Sequence, residues 1–300
     1  MVRCAVGVDL GGTQIRAGVV NEEGELLSMH KALTRAERDT EAIFSDIAAT
    51  ARAAAEEGAG GLGGVAGVGV GSPAPLDLKQ GVIVSPGNLP TLHDFPIVER
   101  LREALGTRVV LNNDANCFGL AEARFGAGKG AEVCCALTLG TGLGCAIVLG
   151  GRIFDGPGGA AAEIWCSPYL GEIVEERVSG RGLARSYAEL SGETAGGLEI
   201  ARRAEAGDAR ALEAFREFGR NLAVPVAYLC NIVDPDVLVL GGSIAKSFDL
   251  FIDALMAEAN AHVNEINRRR LRIVRSTLGG DEGGVLGAAA LVLWAAGRVA

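Results

Sequence analysis

Residues 6–16 read VGVDLGGTQIR, in which two alternating apolar runs flank a pair of glycines. Alternation at every second residue is typical of a half-buried strand, and a glycine pair between two such runs predicts a β-hairpin. We expect Gly11 and Gly12 to supply the positive φ angles that a tight turn requires. Because no side chain covers the N–H groups of such a turn, they are able to point together at an anion.

Asp9 comes directly before this turn. A carboxylate does not hold a phosphate by itself, because like charges repel. It does hold Mg²⁺ or a metal-bound water, and the metal ion then bridges to the phosphate oxygens. An ordinary hairpin with a glycine turn explains the same residues, and this stretch alone favours neither interpretation.

A second stretch, ALTLGTGLGCAIVL at residues 136–149, repeats the design of alternating strand, glycine-threonine turn and alternating strand. Two such hairpins in corresponding places of two halves indicate a duplicated fold with the phosphates of a nucleotide held between the turns. Two independent structural turns would give a similar pattern, but the agreement in strand pattern and turn type favours duplication.

An apolar strand at residues 108–111 leads into Asn113 and Asp114, and the pattern becomes helical from residue 115 to 125. Asp114 is therefore expected at a strand-to-helix junction, where the partial positive charge of the helix N-terminus favours a carboxylate. Capping of the helix is the usual role of an Asn-Asp pair in this position.

The remaining pattern alternates strands with amphipathic helices, which predicts an α/β protein. Further strands are expected at residues 26–32, 65–70, 236–240 and 271–275. Helices are expected at residues 40–57, 96–105, 180–190, 197–206, 208–232 and 247–263, and from residue 285 onward.

Length, charge and cysteine use exclude several classes of protein. A chain of 300 residues suits two domains or one large α/β unit. Its net charge of −9 argues against non-specific binding to nucleic acid, which needs a basic face. The seven cysteines are scattered without a Cys-x-x-Cys pair, as in a reduced cytoplasmic protein. We expect no signal peptide, because the N-terminus enters a strand directly without a basic segment and a long apolar stretch. We expect no membrane span, because the apolar run at residues 285–296 is too short.

Five motifs occur in the order found in the ROK family of sugar kinases, and this resemblance covers essentially the whole chain. The motifs are DLGGT (9–13), NDAN (113–116), LGTGLG (139–144), DP (234–235) with LGGS (240–243), and GAA (287–289). The resemblance implies the fold of the actin-like ATPase superfamily, in which two lobes of ribonuclease-H type carry duplicated mixed sheets with flanking helices. It divides the chain into an N-terminal lobe (1–114) and a C-terminal lobe (115–284), with a last helix (about 285–300) packing back onto the first lobe.

The resemblance also implies an activity like that of a glucokinase. Members of this family transfer the γ-phosphoryl group of ATP, with Mg²⁺, to a hexose or amino sugar, usually at the C6 hydroxyl, and commonly form homodimers. By position, Asp114 resembles the catalytic base. The chemistry agrees, because phosphoryl transfer depends on an oriented nucleophile and neutralised charge, and a carboxylate bonded to the sugar hydroxyl both orients it and accepts its proton.

The other site residues follow from the same resemblance. Sugar contacts are expected at Asn88, Asn113, Asp114, Glu163 and Glu175. Phosphate and nucleoside contacts are expected at Gly11, Gly12, Thr13, Gly140, Thr141, Gly142, Gly241, Gly242 and Gly279. Asp9 is expected near Mg²⁺, partly through water. Glu163 and Glu175 could instead be solvated surface acids.

One segment departs from the family pattern. Many members carry Gly-Glu-x-Gly-His followed by a zinc cluster of cysteines, whereas residues 162–166 here read AEIWC and residues 167–177 contain no cysteine. A structural zinc site needs about four protein ligands, so we expect no zinc. Trp165 and Cys166 replace the usual Gly and His. The indole could stack on a sugar or fill the space of the missing zinc loop.

Three alternatives to a hexose kinase remain at this point. One is a non-catalytic ROK-type regulator that binds sugar, although the first strand begins by Cys4 and leaves no room for an N-terminal helix-turn-helix. Another is a kinase of an N-acyl amino sugar such as N-acetylmannosamine. The third is an actin-like ATPase with a different acceptor, which the altered segment at residues 162–166 makes plausible.

Overall fold

The computed structural model describes residues 3–279 and 282–294. Its strands are β1 (Cys4–Leu10), β2 (Gln14–Asn21), β3 (His30–Leu33), β4 (Val68–Ser72), β5 (Leu76–Asp77), β6 (Val82–Ile83), β7 (Val109–Asn113), β8 (Val133–Leu139), β9 (Leu143–Leu149), β10 (Arg152–Ile153), β11 (Pro168–Tyr169), β12 (Glu172–Ile173), β13 (Val237–Gly241) and β14 (Ile273–Arg275). Its helices are α1 (Thr40–Ala59), α2 (Ile97–Leu105), α3 (Asp114–Phe125), α4 (Val174–Arg177), α5 (Gly180–Ser191), α6 (Gly197–Glu205), α7 (Ala209–Val233), α8 (Ile252–His262), α9 (Glu265–Arg270) and α10 (Gly283–Trp294).

The chain divides into two compact units. The first comprises Met1–Gly130, Gly151–Ala161 and Leu278–Ala300, and the second comprises Ala131–Gly150 and Ala162–Thr277. The predicted boundary lies at residue 114, whereas this division places α3 in the first unit. The reason is packing, because Ala121 of α3 shares a buried cluster with Val285 and Ala289 of α10. Residues 295–300 of the predicted last helix lie outside the described residues.

The sheet of the first unit has the order β3-β2-β1-β4-β7. β1 and β2 form the predicted antiparallel hairpin, and β1, β4 and β7 run parallel. One face packs against α1 and α2, and the other packs against α10. Because parallel strands end at the same edge, Asp9, Gly71 and Asn112 lie in one row across β1, β4 and β7.

Three glycines allow α10 to approach this sheet and α3 at the distance of backbone contact. A Cβ atom on Gly7 would lie 1.9 Å from the carbonyl oxygen of Val285, and one on Gly69 would lie 1.7 Å from that of Ala288. A Cβ atom on Gly287 would lie 1.8 Å from the carbonyl oxygen of Cys117. The close packing of α10 therefore depends on the absence of side chains at these three positions.

The second unit repeats the strand arrangement of the first. β9, β8, β13 and β14 lie side by side in that order, with β8 and β9 antiparallel and β8, β13 and β14 parallel. The core between this sheet and α5, α6, α7 and α8 is rich in aromatic and aliphatic side chains, among them Tyr187, Phe215 and Phe251. The predicted duplication of a mixed sheet with flanking helices is confirmed.

Some elements differ from the prediction. The third strand begins at His30 rather than residue 26, and Leu26 makes only an isolated bridge to Val20. The helix expected at residues 247–263 is interrupted, because a 3₁₀ helix at Ile244–Leu250 contains Ser247 in a non-helical conformation and α8 begins only at Ile252. A helix capped by Asn264, α9, was missed.

Two other expectations concern burial. Of the seven cysteines, six are buried and Cys166 is exposed, and all seven are free thiols, as predicted for reduced core residues. Burial raises the pKa of Cys145 to about 12 and that of Cys230 to about 11, so both thiols stay protonated at neutral pH. Within the described residues, no helix is both long and apolar enough to cross a bilayer.

Candidate active site

The first glycine turn joins β1 to β2 with Leu10 opposite Ile15. The prediction of positive φ angles at Gly11 and Gly12 is wrong, since neither residue adopts one. Residue 12 has to be glycine for a steric reason, because a Cβ atom on Gly12 would lie 2.6 Å from the carbonyl oxygen of Asn88. The turn is therefore packed directly against the loop that carries Asn88.

One N–H group of this turn is hydrogen-bonded within the turn, and the next two are not bonded to described residues. The N–H of Gly11 donates to the carbonyl oxygen of Gln14 at 3.0 Å, which closes the turn. The next two amides, those of Gly12 and Thr13, make no hydrogen bond to any described residue. Two adjacent unpaired N–H groups on an exposed turn form a suitable cradle for an anion.

The second turn, between β8 and β9, has the same organisation. The N–H of Gly140 donates to the carbonyl oxygen of Gly142 at 3.0 Å, and the amides of Thr141 and Gly142 have no partner among the described residues. Neither Gly140 nor Gly142 has a positive φ angle. The carbonyl oxygen of Gly140 accepts from the N–H of Gly180 at 2.8 Å, which ties the turn to the start of α5.

Glu175 holds the second turn from the other side. Its Oε2 accepts from the N–H of Leu143 at 2.9 Å, and its Oε1 accepts from Arg181 at 3.0 Å. Both carboxylate oxygens are therefore bound within the second unit. Glu175 therefore helps to position the turn, and its contact with a sugar stays a prediction.

Asp9 lies at the end of β1 with its side chain 19% exposed. Arg16 lies directly opposite in the hairpin register and donates to Asp9 Oδ2 at 3.0 Å. A Cβ atom on Gly284 would lie 2.7 Å from Asp9 Cγ, so the start of α10 covers this carboxylate. The environment of Asp9 is thus built by β1, β2 and α10 together.

Asn113, rather than Asp114, caps α3. Its side chain accepts from the N–H groups of Ala115 and Asn116, at 2.9 and 3.4 Å. Asp114 is the first residue of the helix, and it is exposed. The Asp114 carboxylate lies at the positive end of the helix, where Oδ1 accepts from the N–H of Ala115 at 2.8 Å and the negative charge is stabilised.

A buried network of amides fixes this helix start. Asn112 Oδ1 accepts from the N–H of Asn113 at 2.7 Å and from Asn116 Nδ2 at 2.9 Å, and Asn112 Nδ2 donates to Asp155 at 2.8 Å. Sequence analysis gave no signal for this network, since Asp155 lies 43 positions after Asn112. The network holds the backbone from which Asp114 projects.

Besides its burial, the carboxylates of Asp114 and Asp9 both raise the pKa of the Cys117 thiol. Burial raises the pKa of the Cys117 thiol well above its usual value, and the charges of Asp114 and Asp9 add to the shift. Asp9 and Asn112 lie two strands apart in one row, which corresponds to roughly 10 Å between their Cα atoms. The first unit therefore brings Asp9, Gly12, Asn88 and Asp114 to one edge of its sheet.

In the second unit, Glu163 is held by the residues that follow it. The indole N–H of Trp165 donates to Glu163 Oε2, and the thiol of Cys166 donates to the carbonyl oxygen of Glu163 at 3.1 Å. Trp165 itself remains 37% exposed. Ala162, directly before Glu163, adopts a φ of +67°, a strained conformation for a residue with a Cβ atom.

The predicted nucleoside-binding glycines fall in both units. Gly242 directly follows β13 with a φ of +87°, and a Cβ atom there would lie 2.4 Å from the carbonyl oxygen of Leu139. Gly241 pairs with Thr138 in the sheet, so both glycines adjoin the second turn. Gly279 belongs to the first unit, where its carbonyl oxygen accepts from the N–H groups of Glu282 and Gly283 at the start of α10.

Known proteins match this chain over nearly its whole length. The family model described as "ROK family" matches residues 5–295. The chain belongs to the ROK family.

Its relatives include a glucokinase of Streptomyces coelicolor, 32% identical over 95% of this chain and 96% of the relative. They also include an N-acetyl-D-glucosamine kinase of Aliivibrio salmonicida, 33% identical over 95% of this chain and 98% of the relative.

Two solved structures extend the comparison to the fold. A ROK hexokinase from Thermus thermophilus is 34% identical with a TM-score of 0.81, covering 96% of this chain and 97% of its own. A ROK family glucokinase from Streptomyces griseus, in complex with glucose and AMPPNP, is 30% identical with a TM-score of 0.79, covering 96% and 98%. The predicted actin-like ATPase fold is confirmed.

The hydrogen bonds of the structure show two site residues that the sequence analysis missed. Arg16, the partner of Asp9, could have been found from the hairpin register, because a turn between Leu10 and Ile15 sets Arg16 opposite Asp9. Arg181, the partner of Glu175, gave no comparable signal. Within the described residues, no group of three or more His, Cys, Asp or Glu side chains could hold a metal ion. The absence of zinc stays a prediction.

Proposed function

We propose that this ROK protein is a sugar kinase that transfers the γ-phosphoryl group of ATP to a hydroxyl group of a hexose, with C6 of glucose as the first candidate. The observation that carries the proposal is the exposed Asp114 carboxylate at the start of α3, on the sheet edge that also carries Asp9. A base for this reaction needs to reach a sugar hydroxyl, and an exposed carboxylate is able to do so.

The proposed phosphate contacts are the unpaired amides of the two turns. Gly12 and Thr13 in the first unit, and Thr141 and Gly142 in the second, each offer two adjacent N–H groups. Backbone N–H groups of this kind donate to anionic oxygens, and they do not gain or lose a proton when they do so. ATP, when bound, supplies the phosphoryl group and Mg²⁺ neutralises part of its charge.

Asp9 is the proposed residue for Mg²⁺, since a carboxylate oxygen is the kind of ligand that this ion prefers. Arg16 already donates to Asp9 Oδ2, which favours contact through a water molecule. Arg16 holds the carboxylate in one orientation, and Gly284 leaves room for it.

The proposed sugar contacts are Asn88, Asn113 and Glu163, with Asp114 at the reacting hydroxyl. Asn88 is exposed and its side chain makes no hydrogen bond to a described residue. Asp114 would orient the sugar hydroxyl and accept its proton as the oxygen attacks phosphorus. The likeness to kinases of both glucose and N-acetyl-D-glucosamine makes the N-acyl amino sugars the second candidate class of substrate. We further infer a homodimer, as in other family members.

A coupled assay of ADP release with a panel of sugars tests this proposal. The panel contains glucose, mannose, N-acetylglucosamine and N-acetylmannosamine, each with ATP and Mg²⁺. ADP release that depends on one sugar, with that sugar phosphate as product, is the expected result. Hydrolysis of ATP that no sugar stimulates would contradict the proposal and favour an ATPase with another acceptor. Sugar binding without turnover would contradict it in favour of a regulator.

Replacement of Trp165 by phenylalanine is expected to raise the KM for the sugar about 3- to 10-fold. This variant keeps an aromatic ring but removes the N–H that holds Glu163 Oε2. A hydrogen bond to a charged group contributes on the order of 1 kcal/mol or more, which corresponds to such a change. The KM for ATP should stay within about twofold, because Glu163 is a proposed sugar contact only.

The matched control is Trp294→Phe, which changes the other tryptophan of the chain in a different unit, where it stacks with Arg124. It should leave the sugar KM unchanged. An unaltered sugar KM in Trp165→Phe, or equal effects in both variants, would remove Trp165 and Glu163 from the sugar site.

A further inference from the structure

A groove with a volume of about 720 Å³ runs along β7, the edge strand of the first sheet. Its walls come from the β5–β6 turn and α2 on one side, and from α3, β10 and α10 on the other. All of its lining residues belong to the first unit. Its volume falls within the range of about 300–1,000 Å³ that is usual for small-molecule sites.

Four cationic side chains line the groove: Lys79, Arg102, Arg108 and Arg152. None of them forms an ion pair within the part of the chain that the structure describes. Two acids, Glu99 and Asp155, also line it, and Asp155 accepts a hydrogen bond from Asn112. The groove is therefore a locally basic site on a protein with a net charge of −9. Such a reversal of charge favours an anionic occupant.

The backbone of β7 adds donors to the same groove. The carbonyl oxygen of Arg108 accepts from the N–H of Val68 on β4, so the alternation of the strand turns the amides of Val109 and Leu111 to the open side. These two amides have no partner among the described residues. Unpaired N–H groups beside cations suit the oxygens of a phosphate or carboxylate.

The free edge is too short for an added strand. At the end of β7, the N–H of Asn113 is already bonded to Asn112 Oδ1 at 2.7 Å. Only Val109 and Leu111 therefore offer outward backbone groups, whereas a stable strand pairing involves about five residues. The edge favours a small molecule over an extended peptide.

Apolar side chains also line the groove. Val98, Leu120, Leu291 and Trp294 contribute carbon surface between the cationic positions. Lys79 and Arg102 lie on the wall of the β5–β6 turn and α2, and Arg152 lies on the wall of β10. An occupant that matches this pattern has an organic body and anionic groups on both sides.

We propose that this groove is a binding site for a small phosphorylated organic molecule that carries at least two anionic groups. The cations of both walls bind the phosphate oxygens, the amides of Val109 and Leu111 donate to them, and the apolar lining contacts the carbon skeleton. The site is separate from the residues proposed for catalysis, none of which lines it.

Isothermal titration of the whole protein with glucose 1,6-bisphosphate and with pyrophosphate tests the proposal. AMPPNP is present at saturating concentration, so that the ligand does not bind where nucleotide phosphates bind. We expect one bisphosphate per chain, and binding at least tenfold weaker in Arg102→Glu/Arg152→Glu. Loss of charge-assisted hydrogen bonds to two cations accounts for an effect of this size.

The matched control is Arg202→Glu/Arg210→Glu, which makes the same charge change at two exposed arginines of the second unit that form no ion pair within the described residues. It should bind the bisphosphate like the unaltered protein. Absence of binding by both probes, or equal weakening in both double variants, would overturn the proposal. If charge reversal unfolds the protein, Arg102→Gln/Arg152→Gln provides the same comparison. Retained sugar-dependent ADP release in the groove variant would show that its fold and catalytic site are intact.

Discussion

Asp114→Asn is expected to lower kcat for sugar phosphorylation by about 10²- to 10⁴-fold, the usual contribution of a general base. The substitution keeps the shape of the side chain and its ability to accept a hydrogen bond from the N–H of Ala115. It removes the carboxylate that we propose as the acceptor of the proton from the sugar hydroxyl. Because Asn113 and not Asp114 caps α3, the helix start should survive the change.

Binding measurements separate this role from a structural one. Calorimetric affinities for the sugar and for AMPPNP should stay within about threefold in Asp114→Asn, since the contacts of the two turns and of Asn88 are unaltered. Asp253→Asn, at an exposed acid in the first turn of α8, is the matched control and should retain full activity. Turnover at the original rate in Asp114→Asn would exclude Asp114 as the base.

Gly69→Ala is expected to destabilise the first unit by about 2–3 kcal/mol, the upper part of the range for overpacking a core. The new Cβ atom would lie 1.7 Å from the carbonyl oxygen of Ala288 and 2.6 Å from its carbonyl carbon. Backbone atoms do not rotate away as a side chain would, so α10 has to move off the sheet. A fall in Tm of about 4–12 °C corresponds to this loss.

Gly63→Ala is the appropriate control, because a Cβ atom there meets nothing within 4 Å and its φ is not in the left-handed region. Its Tm, followed by circular dichroism, should differ from that of the original protein by less than about 2 °C. Equal midpoints for Gly69→Ala and the original protein would mean that α10 does not depend on the bare backbone of β4. Movement of α10 should also weaken catalysis, since Gly284 at its start adjoins Asp9.

The two glycine turns show which structural features a local sequence pattern predicts and which it does not. The alternating runs around residues 11–12 and 140–142 predict the hairpins correctly, because strand period and turn position depend on neighbouring residues. The positive φ angles predicted for Gly11 and Gly12 are absent. Gly12 is needed for its approach to Asn88, a contact across 76 positions of the chain that no local pattern encodes.

Asp114 likewise combines a position that the sequence predicts with an environment that it does not predict. Its position at a strand-to-helix junction follows from the apolar run before it and the helical pattern after it. The bonds among Asn112, Asn116 and Asp155 that hold the start of its helix belong to the tertiary structure. The bond to Asp155 forms only once residues 151–161 have packed beside β7 within the first unit.

The amino-acid sequence by itself determined the order of strands and helices, the duplicated hairpins, the family and the identity of the candidate catalytic acid. Each of these depends on short-range periodicity or on motifs a few residues long. Tertiary structure alone decided that Glu175 holds a turn, that Trp165 binds the Glu163 carboxylate, that α10 needs three bare glycines, and that cations gather beside β7. These features are set by packing and hydrogen bonding between side chains and backbone whose geometry arises only when the chain has folded.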